Sequence, residues 1–122
     1  MANTSSPVQF IGGRETGLTI TNTTNTQAAA IAAQTLQGGT NVITVMAASS
    51  FSALPTLPAG SIVAVTSTVA TNTLAIFPPV GGTIQATNAV GTLNASVTMA
   101  AQGLAVFIAT GSNNGADFFR II

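Results

Sequence analysis

Histidine, cysteine, lysine, tyrosine and tryptophan are all missing from this chain of 122 residues. Their absence removes the common general bases and the readily activated nucleophiles. Charge is almost missing too: Arg14, Glu15, Asp117 and Arg120 are the only charged residues, and the formal net charge is zero. A soluble domain is typically about 25% charged, against 3% here. Neutralising phosphates takes clustered lysine and arginine, so nucleic-acid binding is excluded as a function class. Two carboxylates are too few for a metal cage, and each has an arginine close by in sequence as an ion-pair partner. The chain is therefore expected to be no enzyme, with no catalytic residues, cofactor, metal or small-molecule substrate. Without cysteine there is neither a disulfide framework nor thiol chemistry.

Long hydrophobic runs are also lacking. None approaches the roughly 18 apolar residues of a membrane helix, so no membrane partner is expected. The first ten residues, MANTSSPVQF, show no basic n-region and no sustained apolar h-region, so no signal peptide is expected. Asn3-Thr4-Ser5, Asn22-Thr23-Thr24 and Asn94-Ala95-Ser96 match glycosylation sequons. Such matches arise readily in a chain rich in Asn and Thr, and nothing here indicates secretion.

What is present is threonine, serine, asparagine and glutamine as the polar surface, and a 47% hydrophobic fraction. Alanine, valine and isoleucine dominate that fraction, and six phenylalanines are the only aromatics. The expected core is lean. A neutral surface offers little colloidal repulsion and tends to associate, which predicts a protein whose working state is an assembly. The length suits one domain with a single core.

The chain is organised around residues 60–84, GSIVAVTSTVATNTLAIFPPVGGTI. Two β-type runs, one on Ile62, Val63 and Val65 and one on Leu74, Ile76 and Phe77, read as antiparallel strands joined by a short polar loop. Pro78-Pro79 ends the second run, because proline cannot donate to a ladder. Ahead of this pair, residues 1–17 read as an arm with an apolar point at Val8, Phe10 and Ile11. Residues 18–21 alternate as a short strand. Residues 28–36 (AAAIAAQTL) have helical propensity and a cap at Asn25 or Thr26. Nine residues make a marginal helix, however. A turn at residues 37–40, which would pair residues 31–36 with residues 42–47, then favours strand over helix for residues 28–36. Residues 41–48 (NVITVMAA) are a strand apolar on both faces, and residues 49–60 are a loop in which Phe51, Leu54 and Leu57 tuck onto the core or a partner.

Further strands are expected at residues 83–87, 95–99, 104–110 and 116–122, with a hairpin loop at residues 111–115. Phe118 and Phe119 point to opposite faces, which predicts a strand covered on both sides. The Thr-x-Thr pairs (Thr19/Thr21, Thr66/Thr68, Thr71/Thr73) follow no constant repeat length and read as solvated strand threonines. Short strands at about ten-residue spacing predict an all-β fold: an antiparallel β-sandwich or jelly-roll-like barrel of about eight strands, with an N-terminal arm (1–17) and one β-domain (18–122).

The stretch from Gly60, with Asn72 before Leu74, Phe77-Pro78, and Gly81-Gly82 before Ile84, is preceded by NVITV and LPAG and followed by a small strand, glycine and an apolar strand. It resembles a β-domain of tailed-bacteriophage virion proteins, and most of all their head decoration (cement) proteins. The resemblance covers roughly residues 41–122; Phe118-Phe119 stands where related chains are expected to carry an aromatic, often tryptophan. It implies a structural virion protein, a homotrimer made in the host cytoplasm and seated on the outer surface of the capsid. Its partner would be the major capsid protein, whose subunit contacts it would stabilise. No catalytic or cofactor residues are implied. The candidate capsid or subunit contacts are Phe10, Ile11, Arg14 and Glu15 on the arm. Phe51, Leu54, Phe118 and Phe119 are the candidates on the domain. A tail- or fibre-associated module and a self-assembling pilin or surface-layer subunit are the alternatives.

Overall fold

Alternation with period two governs the observed structure. Along residues 62–67, Val63, Val65 and Ser67 are buried, Ala64 and Thr66 are half-buried and Ile62 is exposed. The computed structural model describes residues 13–86 and 90–122. The strands are β1 (Gly13–Ile20), β2 (Gly39–Met46), β3 (Ser50–Ala53), β4 (Ile62–Ser67), β5 (Leu74–Phe77), β6 (Ile84–Gln85), β7 (Val97–Met99), β8 (Leu104–Ala109) and β9 (Phe118–Arg120), with one short helix, α1 (Gln27–Ala33). They form a six-stranded sheet in the order β1-β2-β4-β8-β9-β6 and a three-stranded sheet in the order β3-β5-β7.

The fold is mostly β, as expected, but its sheets are mixed rather than antiparallel. β1 with β2, β2 with β4, β3 with β5, and β6 with β9 run parallel. β4 with β8, β5 with β7, and β8 with β9 are antiparallel. The central hairpin is overturned, because β4 and β5 belong to different sheets and residues 68–73 carry the chain across. β2 and β3 make the same crossing through residues 47–49. Parallel neighbours need a crossover connection: β2 reaches β4 through β3, and β3 reaches β5 through β4, each by way of the opposite sheet.

The two crossings stack in one register. Gly39 lies opposite Val63 and Ser50 opposite Leu74, so partners are 24 residues apart in both sheets (39 to 63, 50 to 74). Polar groups fasten the stack. Asn72 Nδ2 donates to the Met46 carbonyl at 2.7 Å, the Thr68 amide to the Ile43 carbonyl at 3.0 Å, and Ser50 Oγ to the Ala47 carbonyl at 2.6 Å. Between the sheets lies one apolar cluster, with Ile43, Val63, Val65, Phe107 and Phe118 from the larger sheet and Leu74, Ile76 and Met99 from the smaller.

Residues 27–33 are helix, where a strand over residues 28–36 was expected. Thr26 Oγ1 accepts from the Ala29 amide at 3.2 Å and caps the first turn. Ala30 and Ile31 pack with Ala53 and Phe77, and such tertiary packing sustains a helix too short to stand alone. The helix stops at Ala33 because the next residues turn to pairing: Thr35 bridges Ala53 in parallel, and the Leu36 amide donates to the Ala53 carbonyl at 2.8 Å. The turn expected at residues 37–40 therefore joins no hairpin.

The stretch 49–60, expected to be a loop, contains β3. β1 begins at Gly13, inside the stretch assigned to the arm, whereas Phe10 and Ile11 lie outside the described residues. β1 carries one extra residue between Glu15 and Leu18, and β2 one between Ile43 and Val45, so the register recovers. The second bulge leaves Val45 53% exposed and turns Met46 inward with Ile43, so β2 is not covered on both faces. The β8–β9 hairpin appears as expected. Its loop places Asn113, Asn114 and Gly115 at φ of 55°, 56° and 84°, a left-handed run that Asn and Gly tolerate best.

Candidate interaction surface

The charged side chains that the structure describes, Asp117 and Arg120, bond within the chain. Asp117 Oδ1 accepts from the Thr83 amide at 3.1 Å and from Thr83 Oγ1 at 3.3 Å. Arg120 Nε donates to the Ile122 carbonyl at 2.9 Å, and its Nη1 to the Thr98 carbonyl at 3.0 Å. Both tie β9 to its surroundings through backbone, in place of the ion pair expected between them. Arg14 and Glu15 fall within β1, opposite Thr40 and Asn41.

The sequon asparagines that the structure describes are likewise occupied. Asn94 Oδ1 accepts from the Gly81 amide at 2.6 Å and from Gln27 Nε2 at 3.2 Å. Asn22 Oδ1 accepts from the Thr24 amide at 3.2 Å, and its Nδ2 donates to the Phe51 carbonyl at 3.3 Å. Among the described residues, no three His, Cys, Asp or Glu gather where a metal would sit, and no helix is long and apolar enough to cross a membrane. A shallow groove runs between residues 56–59 and 111–115, lined by Leu57, Pro58 and Ala59 with Gly111 and Asn114, and no lining group is ionisable.

The feature that stands out is the outer face of the six-stranded sheet. Ile62 lies opposite Ile108, and Ile108 opposite Phe119, so three large apolar side chains form a row across β4, β8 and β9. Alternation puts these residues on the side away from Val63, Phe107 and Phe118. The next rows are Ala64 opposite Val106 and Thr66 opposite Leu104. Ile62 and Leu104 are each 47% exposed, while Val106, Ile108 and Phe119 are half-buried. None of these residues is charged. Ile121 and Ile122, both exposed, follow β9, and the Ile121 amide donates to the Val106 carbonyl at 2.7 Å.

Of the sequence-derived contact residues whose side chains are described, Phe119 alone falls on this face, and the register Arg14–Thr40–Ala64–Val106 puts the position of Arg14 at the end of one of its rows. Leu54, 1% exposed, and Phe118, 0% exposed, belong to the core. Phe51 is half-buried on the opposite side of the smaller sheet, its ring centroid 6.4 Å from that of Phe77 and beside α1. Ile62, Leu104, Val106 and Ile108 were missed, although strand alternation alone separates them from their buried neighbours. Comparison with family models, curated proteins and solved structures gives no match.

Proposed function

We propose that this chain is a structural subunit of a virion: a capsid decoration protein that binds the assembled phage head, as a homotrimer, and stabilises the contacts between major capsid proteins. The observation that carries the proposal is a nearly uncharged chain whose larger sheet has an apolar face left uncovered by the described residues. Its chemistry suits contact, not reaction: the described carboxylate and guanidinium bond backbone and hydroxyl groups of the chain itself. The resemblance of residues 41–122 to head decoration proteins supplies the kind of assembly. Both sheets contribute to one apolar cluster, which supports reading them as the layers of a β-sandwich.

Such a protein works by mass action. Binding the assembled lattice more tightly than loose subunits shifts the equilibrium towards the intact shell. Several attachment points on one oligomer strengthen the hold without any new contact.

A tail- or fibre-associated module is the second reading, favoured by the stacked crossings at a constant 24-residue spacing (39 to 63, 50 to 74), since stacked repeats let a module extend along one axis. Copy number separates the two. Quantifying the protein in purified virions, with antibody labelling to locate it, is expected to give hundreds of copies on the head. A handful at the tail would favour the second reading, and absence from the particle would overturn both.

A further inference from the structure

We propose that Asn114 is a site at which this chain modifies itself, losing its side-chain nitrogen as ammonia, and that the fold withholds the reaction until the 111–115 loop opens. Asn114-Gly115 is the one Asn-Gly pair in the sequence, and every other asparagine is followed by Thr, Val, Ala or Asn. Glycine in that place leaves its backbone nitrogen unhindered, because it has no Cβ. The Gly115 nitrogen attacks Cγ of Asn114. A C–N bond forms, the Cγ–Nδ2 bond breaks, and the proton lost from the Gly115 nitrogen ends on the departing ammonia. A five-membered succinimide remains, and solvent water opens it at either carbonyl to give aspartate or isoaspartate. No catalytic group is needed, so a chain without His, Cys or Lys can carry it out.

The loop exposes the amide and withholds the nucleophile. Asn114 is exposed and lines the groove beside Leu57, Pro58 and Ala59, so water reaches its side chain. Gly115 is buried. Its amide donates to the Ser112 carbonyl at 3.2 Å, and its carbonyl accepts from the Leu57 amide at 3.1 Å. Ring closure needs the Gly115 nitrogen on the same side as the Asn114 Cβ. Asn114 stands at φ 56° and ψ 35°, and at this ψ the nitrogen points nearly opposite to Cβ. The peptide plane must turn over before attack, which breaks the bond to Ser112. Asn113 latches the loop further, its Nδ2 donating to the Gly81 carbonyl. The reaction therefore waits on a local opening, and only the open fraction reacts. Its product is conspicuous in this chain. A new carboxylate takes the formal net charge from zero to one negative, in a groove lined by no other ionisable group. Isoaspartate also lengthens the main chain by one carbon, which displaces Gly115 from Leu57.

Ageing the protein in mildly alkaline buffer, folded and in unfolding guanidinium chloride, tests the proposal. Mass spectrometry follows the one-dalton gain of each conversion, and fragmentation places it. Asn114 is expected to be the first asparagine to convert in the unfolded chain, and to convert at least about tenfold more slowly in the folded one. Asn114→Gln, whose attack would need a six-membered ring, is expected to abolish the early gain in denaturant, where folding of the variant is no concern. Asn113→Gly removes the latch to Gly81 and suits the positive φ of that position. It is expected to speed conversion of the folded protein and to leave the unfolded rate unchanged. Earlier conversion of another asparagine in denaturant, or none at Asn114, overturns the site. Equal rates in the folded and unfolded chain overturn the gate, as does a folded Asn113→Gly chain that converts no faster than the parent. None of these outcomes bears on whether the chain decorates heads.

Discussion

Phe118 and Phe119 are consecutive on β9 and serve opposite sides of the sheet. Phe118 is fully buried opposite Ala109, while Phe119 lies half-buried opposite Ile108 on the uncovered face. Truncating the two should therefore have unequal effects. Phe118→Ala removes a ring from the shared core and is expected to cost about 3–5 kcal/mol. Phe119→Ala forfeits only part of a burial worth roughly 1.5–3 kcal/mol, so about 1 kcal/mol is expected. Urea unfolding at low protein concentration, with m unchanged, measures both. Equal losses would mean that the outer face is packed within a single chain.

Asn41 gives a second test, because it is a polar residue 1% exposed inside β2. Its Oδ1 accepts from the Gln37 amide at 3.1 Å, and its Nδ2 donates to the carbonyls of Gln37 at 2.9 Å and Ala64 at 3.2 Å. The side chain thus finishes backbone bonding where the chain enters the sheet. Asn41→Leu keeps the volume but strands these partners, and each unsatisfied buried group costs about 1–3 kcal/mol. A loss of at least about 2 kcal/mol in urea unfolding is expected. Stability within about 0.5 kcal/mol of the parent would show that the Gln37 groups find other partners.

Residues of this kind also mark how far the sequence could be read. β2, β4, β5, β8 and β9 announce themselves through alternating apolar residues, and the 111–115 loop through its Gly and Asn. Strand partners do not announce themselves. In the stacked crossings Val63 sits against Gly39 and Leu74 against Ser50, so a constant geometry is met by unlike residues and leaves no visible repeat. Two neighbouring apolar runs then look like a hairpin, although the chain between them changes sheets. The helix was weighed and set aside on its length, yet packing of Ala30 and Ile31 on the smaller sheet decides it. Alternation set Phe118 and Phe119 on opposite faces and predicted cover on both, but which of the two faces the core was not legible. Ile62 and Ile108 join Phe119 only once β4 is known to pair with β8, which is a long-range fact.

Gly82 is expected to tolerate no side chain. A Cβ built there falls 1.9 Å from the Ala116 carbonyl oxygen and 2.6 Å from its carbon, so backbone and not a flexible tip stands in the way. The Gly82 carbonyl also accepts from the Asn94 amide at 2.9 Å, which resists a local shift. Gly82→Ala should destabilise by about 1–3 kcal/mol, the range for overpacking, or more. Gly38→Ala is the control, since its Cβ would meet only Leu57 methyl groups at 3.6 Å. Thermal unfolding of the pair should show a large drop for the first and little change for the second. Similar melting of both would refute the close approach.

The start of β1 at Gly13 sets where the arm can be cut. Removing residues 1–12 leaves the edge strand whole, so the shortened protein should fold with an unfolding midpoint close to that of the full chain. Removing residues 1–20 strips β1 and bares the edge of β2, and an open edge invites aggregation. If Phe10 and Ile11 anchor the arm on a neighbour, the chain lacking residues 1–12 should be folded yet fail to occupy phage heads. Normal occupancy would move the docking surface to the β-domain.

If the chain decorates phage heads as proposed, its attachment should depend little on salt. Steering by charge weakens as ionic strength rises, because the screening length shortens from about 30 Å at 0.01 M to about 3 Å at 1 M. With only four charged residues and a net charge of zero, this protein has little to screen. Asp117 and Arg120 are moreover engaged with Thr83, Thr98 and Ile122 of the chain itself. Apolar contact, by contrast, holds or strengthens in excluded salts such as sulfate. Occupancy measured after incubation at 0.05 M and 1 M sodium chloride should agree within about a factor of two, and sulfate should raise it. A tenfold loss at high salt would mean that Arg14 and Glu15 on β1, or charges on the capsid alone, carry the attachment.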